Sequence, residues 1–91
     1  MKTKIRIIVN PVSGSGRRKK ALRMIDEHLD TDKFDFELVK TQHHRHAIEL
    51  TNQAVEDGCK AVVIAGGDGS INEVAKELVG TMIPLGVIPV G

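Results

Sequence analysis

The stretch "AVVIAGGDGSINEVAKEL", Ala61–Leu78, joins two different residue patterns. Ala61–Ala65 is a continuous apolar run of the kind that is buried on both faces of a parallel sheet. Three glycines within four positions, Gly66, Gly67 and Gly69, then interrupt the run. Apolar residues recur after them at helical spacing. The stretch therefore predicts a buried strand, a glycine-rich loop and an amphipathic helix, in that order.

The helix after the glycines is predicted to begin at about Ser70. Ser70 and Glu73 have the S-x-x-E spacing of a capping box, which would give both residues a structural role. The apolar stripe of this helix consists of Ile71, Val74, Ala75, Leu78 and Val79. We expect the first four of these to be buried against the sheet.

The rest of the chain also alternates between strand and helix patterns. Further strands are predicted at Ile5–Val9, Phe34–Lys40 and Leu85–Ile88, and further helices within Arg17–Leu29 and His46–Asp57. Right-handed crossovers make this order a three-layer α/β fold with helices on both faces of a parallel sheet. The second strand alternates apolar and polar residues, which predicts an edge strand, whereas the first, third and fourth should lie inside. The predicted strand order is 2-1-3-4.

Composition excludes several classes of protein. The 91 residues suit one small domain, and with 41% hydrophobic residues, 27% charged residues and a net charge of +1 they give no general attraction to nucleic acid or membranes. Phe34 and Phe36 are the only aromatic residues, so base-stacking platforms are not expected and no nucleic-acid partner is predicted. The single Cys59 allows no internal disulfide and fits a cytoplasmic location. No segment approaches the ~20 apolar residues of a membrane-spanning helix.

Three loops are predicted to meet at one edge of the sheet. In a parallel sheet all strands end at the same edge, and ligands bind where the strand order reverses. The loops contain Asn10–Gly14 after the first strand, Thr41 after the second and Gly66–Gly69 after the third. Asn10, Ser13 and Thr41 would contribute polar groups to this edge.

The glycine loop has two interpretations. Glycines can adopt positive φ and expose backbone N–H groups, and the following helix start favours an anion, so the loop could hold phosphate. Alternatively, it could be a tight turn from strand to helix. It is neither a Walker A loop nor G-x-G-x-x-G, because Asn72 stands at the last glycine position. Three glycines exceed what a turn needs, which favours the phosphate interpretation.

Asp68 lies among these glycines, where a carboxylate would repel a phosphate. It could form hydrogen bonds within the turn, or it could position Mg²⁺, a water or a reacting hydroxyl. Four basic residues, Arg17–Lys20, follow the first loop and are either solvated or near an anion. His43, His44 and His46 have no carboxylate or cysteine partners at metal-site spacing, and no metal ligand is assigned in residues 1–91.

The three loops together carry a family resemblance. "NPVSG" after the first strand, "KTQHHRHAIEL" after the second, and "GGDGSINEV" followed by "PLGVIPVG" resemble the nucleotide-binding part of the diacylglycerol kinase catalytic domain. This family includes diacylglycerol, sphingosine and YegS-type lipid kinases, and the resemblance covers essentially the whole chain. Ser70 stands where the family usually has threonine, which keeps a hydroxyl at that position.

The resemblance implies a lipid kinase that uses ATP and Mg²⁺ to phosphorylate a lipid hydroxyl, with diacylglycerol-like substrates. It assigns nucleotide contacts to Asn10, Pro11, Val12, Ser13, Gly14, Thr41, Gly66, Gly67, Asp68, Gly69, Ser70, Ile71 and Asn72. Asp68 is in addition the candidate catalytic residue, positioning a metal ion, a water or the acceptor. Three alternatives stay open: an NAD kinase-type enzyme, a nucleotide-binding module without catalysis, and a structural α/β domain.

The resemblance also implies that residues 1–91 are a truncated nucleotide-binding domain. The family continues beyond the "PVG" motif with a second, mainly β domain that supplies the lipid pocket, the metal ligands and the general base. We therefore expect the 91 residues alone to be inactive, and the full-length protein to contact membrane surfaces transiently. A homodimer through the open edge of the fourth strand is possible.

Overall fold

The computed structural model describes residues 3–10, 23, 27, 32–42 and 45–89. The elements within these residues are β1 (Thr3–Val9), β2 (Phe34–Lys40), α1 (His46–Glu56), β3 (Ala61–Gly66), α2 (Asp68–Leu78) and β4 (Leu85–Pro89). The helix predicted within Arg17–Leu29 lies outside the described residues except for Arg23 and Glu27, which are helical and exposed.

The four strands form one parallel sheet in the order β2-β1-β3-β4, which confirms the predicted α/β fold and strand order. Strand β1 pairs with β2 on one side, with Thr3 opposite Phe34, and with β3 on the other, with Ile5 opposite Ala61. The expectation that the fourth strand lies inside is wrong for the described residues. There β4 is the outer strand next to β3, and Val87 on it is 45% exposed.

Both faces of the sheet are apolar, because the inner strands alternate their buried side chains between the two sides. One cluster joins the sheet to both helices, through Ile8 and Ile64 on the strands, Leu50 on α1 and Val74 on α2. The opposite cluster contains Ile5, Ile7, Val9, Ala65 and Ile88. Ala47, Leu50 and Ala54 lie on the buried face of α1, at the i, i+3, i+7 spacing of an amphipathic helix.

Helix α2 follows its predicted stripe only in part. Val74 and Leu78 are buried as expected, whereas Ile71 and Ala75 are only partly buried. The helix ends at Leu78, and Val79 turns into extended backbone with 80% of its surface exposed. The hydroxyl of Thr81 donates to the carbonyl oxygen of Leu78 at 2.7 Å and so satisfies one terminal carbonyl of the helix.

Large apolar side chains are exposed after the end of α2 and on β4. Val79, Met82 and Val87 are the exposed large hydrophobic residues of the described part of the chain.

No helix within the described ranges is both long and apolar enough to cross a bilayer.

A buried arginine lies in the middle of the central strand. Only 5% of Arg6 is exposed, and its guanidinium forms ion pairs with Glu37 on β2 and, at 3.0 Å, with Asp57 after α1. Burial by itself would lower the pKa of Arg6, but the hydrogen bonds to the two carboxylates raise it above its ordinary value. Arg6 Nε is buried with no hydrogen-bond partner within the described residues. These ion pairs connect β1, β2 and the end of α1.

Cys59 is the buried thiol next to this cluster. Only 2% of it is exposed, and it packs in the core cluster that joins the sheet to the helices. Burial raises the pKa of the Cys59 thiol above its ordinary value, although the nearby Arg6 acts in the opposite direction. The thiol is therefore protonated at neutral pH and unsuited to nucleophilic chemistry.

The Arg6 ion pairs predict an asymmetry in stability. The double variant Glu37→Gln/Asp57→Asn leaves a buried cation without compensating charge, and we expect it to lower the free energy of unfolding by about 2–4 kcal/mol. Arg6→Met replaces the cation with an apolar side chain of similar length, and we expect a smaller loss. Urea denaturation followed by circular dichroism compares the two variants. A larger loss in Arg6→Met would show that the ion pairs themselves dominate.

Candidate functional site

The ends of three strands lie side by side at the carboxyl edge of the sheet. The N–H of Thr41 donates to the carbonyl oxygen of Val9 at 2.8 Å, and the N–H of Asn10 donates to that of Ala65 at 3.0 Å. These bonds extend the two ladders of β1 by one residue each. Thr41, Asn10 and the glycine loop therefore lie next to one another at the position where the strand order reverses.

The side chains of Asn10 and Ser70 connect two of these loops directly. Asn10 Nδ2 donates to Ser70 Oγ at 2.6 Å, across a separation of 60 residues in the sequence. The capping-box prediction for Ser70 and Glu73 is wrong, because Ser70 lies inside α2, two residues after the helix begins. Its oxygen accepts from Asn10, directly after β1, instead of capping the helix.

Helix α2 begins two residues earlier than predicted, at Asp68, with Gly67 as the N-cap residue. Gly67 has extended backbone, with φ −90° and ψ −176°, and no side-chain hydrogen bond caps the helix. The first helical hydrogen bond runs from the N–H of Ile71 to the carbonyl oxygen of Gly67 at 3.1 Å. The amides before Ile71 form the positive end of the helix dipole, and an anion would complement them.

The three glycines of the loop differ in their surroundings, and none of them has positive φ. Among the described residues only Gly58 and Gly80, with Arg45, have positive φ, so the expectation of positive φ in the glycine loop is wrong. A Cβ on Gly66 would lie 3.2 Å from Ser70 Cβ and 3.5 Å from Asn10 Cβ. A Cβ on Gly67 or Gly69 would meet no atom within 4 Å. Gly66 thus permits close packing, whereas the other two border open space.

The remaining predicted residues of this loop face different surroundings. Asp68 and Asn72 are exposed, and Asp68 is the acidic residue of the first helical turn, where a negative charge stabilises the helix dipole. Ile71 packs against the core, so its side chain is structural and only its backbone could serve a ligand. The structure therefore gives Asp68 a helix-stabilising role and leaves its carboxylate accessible.

Thr41 after β2 is buried, and Arg45 and His46 mark the beginning of α1. Arg45 is the N-cap residue of α1. Its φ of 66° lies in the left-handed region, which is unfavourable for residues other than glycine. The backbone N–H of Gln42 donates to His46 Nδ1 at 2.9 Å. One nitrogen of His46 thus accepts from the residue that follows Thr41. Within the described ranges, no group of three or more His, Cys, Asp or Glu residues could hold a metal ion.

Several predicted positions lie outside the described residues. Pro11, Val12, Ser13 and Gly14 of the first loop, and His43 and His44 of the second, belong to this group.

Sequence reasoning missed two features of this site. One is the Asn10–Ser70 contact. The sequence did contain a signal for it, namely a polar residue at the end of β1 and a hydroxyl in the first turn of α2. The other is the left-handed backbone at Arg45, for which the sequence offers no glycine or asparagine as a sign.

Comparison with known proteins identifies the family to which this chain is similar. The family model described as "Diacylglycerol kinase catalytic domain" matches residues 4–91. A diacylglycerol kinase of Mycobacterium tuberculosis is 38% identical over 89 residues, which are 97% of this chain and 28% of that protein. Sphingoid long-chain bases kinase 1 of Arabidopsis thaliana is 35% identical over 97 residues, which cover 97% of this chain and 13% of that protein.

A solved structure shows the same fold. The crystal structure of a "putative diacylglycerol kinase" from Bacillus anthracis superposes with a TM-score of 0.75 at 28% identity, covering 97% of this chain and 31% of that one. The fold is thus that of a diacylglycerol kinase-like protein class. The chain belongs to the diacylglycerol kinase catalytic domain family. It spans less than a third of the length of each of these three relatives.

The different surroundings of the glycines predict different effects on stability. Gly66→Ala forces the first turn of α2 away from the end of β1, and we expect it to lower the free energy of unfolding by about 1–3 kcal/mol. Gly69→Ala adds a methyl group in open space at a helical position where alanine is favoured over glycine by up to about 1 kcal/mol. We therefore expect it to be neutral or stabilising in urea denaturation. Equal losses in both variants would contradict this division of roles.

Proposed function

We propose that this chain is the nucleotide-binding part of a lipid kinase that transfers the γ-phosphate of ATP to a lipid hydroxyl, with a diacylglycerol-like acceptor. The observation that carries the proposal is the start of α2 in a chain of the diacylglycerol kinase catalytic domain family. This helix has no side-chain cap, and it begins between Gly67 and Gly69, which both border open space. The family supports the reaction class, and the helix start supports the place of the phosphates.

The phosphates would lie against the first turn of α2. Because Gly67 and Gly69 have no side chains, a phosphate can approach the backbone N–H groups there closely. Hydrogen bonds from backbone amides to phosphate oxygens are charge-assisted, and the helix dipole adds to them. This part of the site would position ATP and stabilise its negative charge, which is most of what phosphoryl transfer requires from a protein.

Asn10 and Thr41 would line the nucleotide on the other side of the reversal point. Both follow strands that flank the same edge, and their backbones are fixed by the bonds to Ala65 and Val9. The undescribed Pro11, Val12, Ser13 and Gly14 belong to the same proposed contact surface. Ile71 would take part through its backbone alone.

Asp68 is the residue to which we assign the positioning of the reaction. Its exposed carboxylate lies in the first turn of α2, beside the proposed phosphate position. Mg²⁺ is often held by one or two carboxylates together with waters and substrate phosphates, so a single accessible aspartate fits the ion the family implies. When bound, Mg²⁺ would neutralise charge on the phosphates. Asp68 would orient the ion through water, or orient the acceptor hydroxyl directly.

The lipid acceptor requires parts beyond those described. We infer that a second, mainly β domain supplies the lipid pocket, the remaining metal ligands and the general base, as the family resemblance implies. The complete enzyme would then act in the cytoplasm on lipids at a membrane surface, with transient contact. The apolar residues near β4 and its outer edge could support a homodimer.

The phosphate assignment predicts that Gly69→Ala weakens ATP binding while leaving the fold intact. The added methyl group would occupy the space assigned to phosphate, and we expect the Kd for Mg²⁺-ATP to rise about tenfold or more. Calorimetry on the 91-residue chain measures the affinity, which we expect to be weak, and urea denaturation controls for folding. Unchanged affinity in a folded variant would place the phosphates elsewhere.

The role of Asp68 predicts a loss of rate in the complete kinase. Asp68→Asn should lower kcat on the order of 100-fold through misplaced reactants, with a much smaller change in KM for ATP. Radiolabelled phosphate transfer to diacylglycerol vesicles measures both, and Glu77→Gln in the last turn of α2 is the matched charge control. The 91-residue chain alone should transfer no phosphate. A full rate in Asp68→Asn would leave Asp68 only its helix-stabilising role.

A further inference from the structure

The Asn10–Ser70 hydrogen bond is a contact that neither helix capping nor phosphate binding explains. At 2.6 Å it is short for a bond between an amide and a hydroxyl, and it joins the end of the central strand to the first turn of α2. A serine near the start of a helix usually forms a hydrogen bond to a nearby backbone group of the same helix. This one bonds across the reversal point of the sheet.

The backbone around this bond is fixed on both sides. Asn10 is held to β3 by its own N–H, which donates to the carbonyl oxygen of Ala65. Ser70 belongs to a helical turn that is closed by the bond from Ile71 to Gly67. The side-chain bond therefore joins Asn10 at the end of β1 to the first turn of α2, two places where the backbone is already held by hydrogen bonds.

Gly66 shows how closely these segments approach. It is buried directly beneath the contact, and a Cβ on it would lie within 3.5 Å of both Asn10 Cβ and Ser70 Cβ. A side chain at position 66 would therefore press on the helix turn that carries Ser70. The same turn carries Gly67, Asp68 and Gly69, so a shift of Ser70 would move them all.

We propose that Ser70 is a positioning residue: its hydroxyl holds the Asn10 carboxamide and thereby sets the position of Asn10 relative to the first turn of α2 in the proposed nucleotide site. The inference rests on the proposed function. It differs from a direct contact between Ser70 and phosphate, because Ser70 then acts on the nucleotide only through Asn10. A threonine at this position keeps the hydroxyl and fulfils the same role.

The test is a double-mutant cycle on Mg²⁺-ATP affinity, measured by calorimetry on the 91-residue chain. Ser70→Ala should raise the Kd about tenfold, and Ser70→Thr should restore it to within about twofold. In the Asn10→Ala background, Ser70→Ala should cause no further loss, because the partner through which it acts is already gone. Losses that multiply in the double variant would indicate a direct contact with nucleotide and overturn the proposal.

Thr81→Ala is the matched control. It also removes a hydroxyl that bonds to α2, at the opposite end of the helix from Ser70. We expect it to lower the midpoint of urea denaturation without changing ATP affinity. If Thr81→Ala weakens ATP binding as much as Ser70→Ala does, the effect is one of general helix stability and the proposal fails.

A measurement without nucleotide separates this proposal from the proposed function. In ¹⁵N NMR spectra of the free chain, Ser70→Ala should shift the side-chain NH₂ signals of Asn10 and the backbone amides of Gly67 and Gly69, whereas Thr81→Ala should not. If the unsubstituted chain binds no ATP, the proposed function is contradicted, and these shifts still decide whether Ser70 positions Asn10. Unchanged Asn10 signals in Ser70→Ala would overturn the inference.

Discussion

The close approach of helix α2 to the end of strand β1 is the constraint on which the edge site depends. It favours a residue without a side chain at Gly66, because a Cβ there would lie 3.2 Å from Ser70 Cβ, which is closer than ordinary packing. It also needs β3 beside β1, which follows from the strand order. Once these conditions hold, the start of α2, the end of β1 and Thr41 after β2 share one edge. The site is therefore a consequence of topology and of one missing side chain more than of any particular charge.

Charge has its main structural role in a different part of the sheet. Arg6 is buried within the most protected strand and is compensated by two partly exposed carboxylates, one on the neighbouring strand and one after α1. Such an arrangement contributes less to net stability than an apolar core would, but it disfavours other pairings of the strands, since any shift of register leaves the cation unpaired. The apolar clusters on the two faces provide the stabilisation, and the ion pairs favour one alignment.

Much of this architecture could be predicted from the sequence, because long periodic segments reflect burial directly. The strand order followed from the alternation in Phe34–Lys40 and the unbroken apolar run in Ala61–Ala65. The details at the glycine loop could not be predicted in the same way. Ser70 and Glu73 matched a capping pattern, but the helix began earlier, and tertiary contact with Asn10 determined the role of the serine. The local pattern allowed Ser70 a capping role, whereas its contact with Asn10 determined the hydrogen bond that it forms.

The central position of β1 has a consequence for how the chain folds. Among the four described strands this one comes first in the sequence, and its two neighbours, β2 and β3, come much later. Parallel pairing over such separations must overcome loop-closure entropy before any ladder forms, which slows folding relative to helical proteins of the same size. Until then the apolar run of β1 is exposed, and the charge of Arg6 in its middle opposes premature association with other chains. The arginine that fixes the register of the finished sheet would thus also protect the unpaired strand during synthesis.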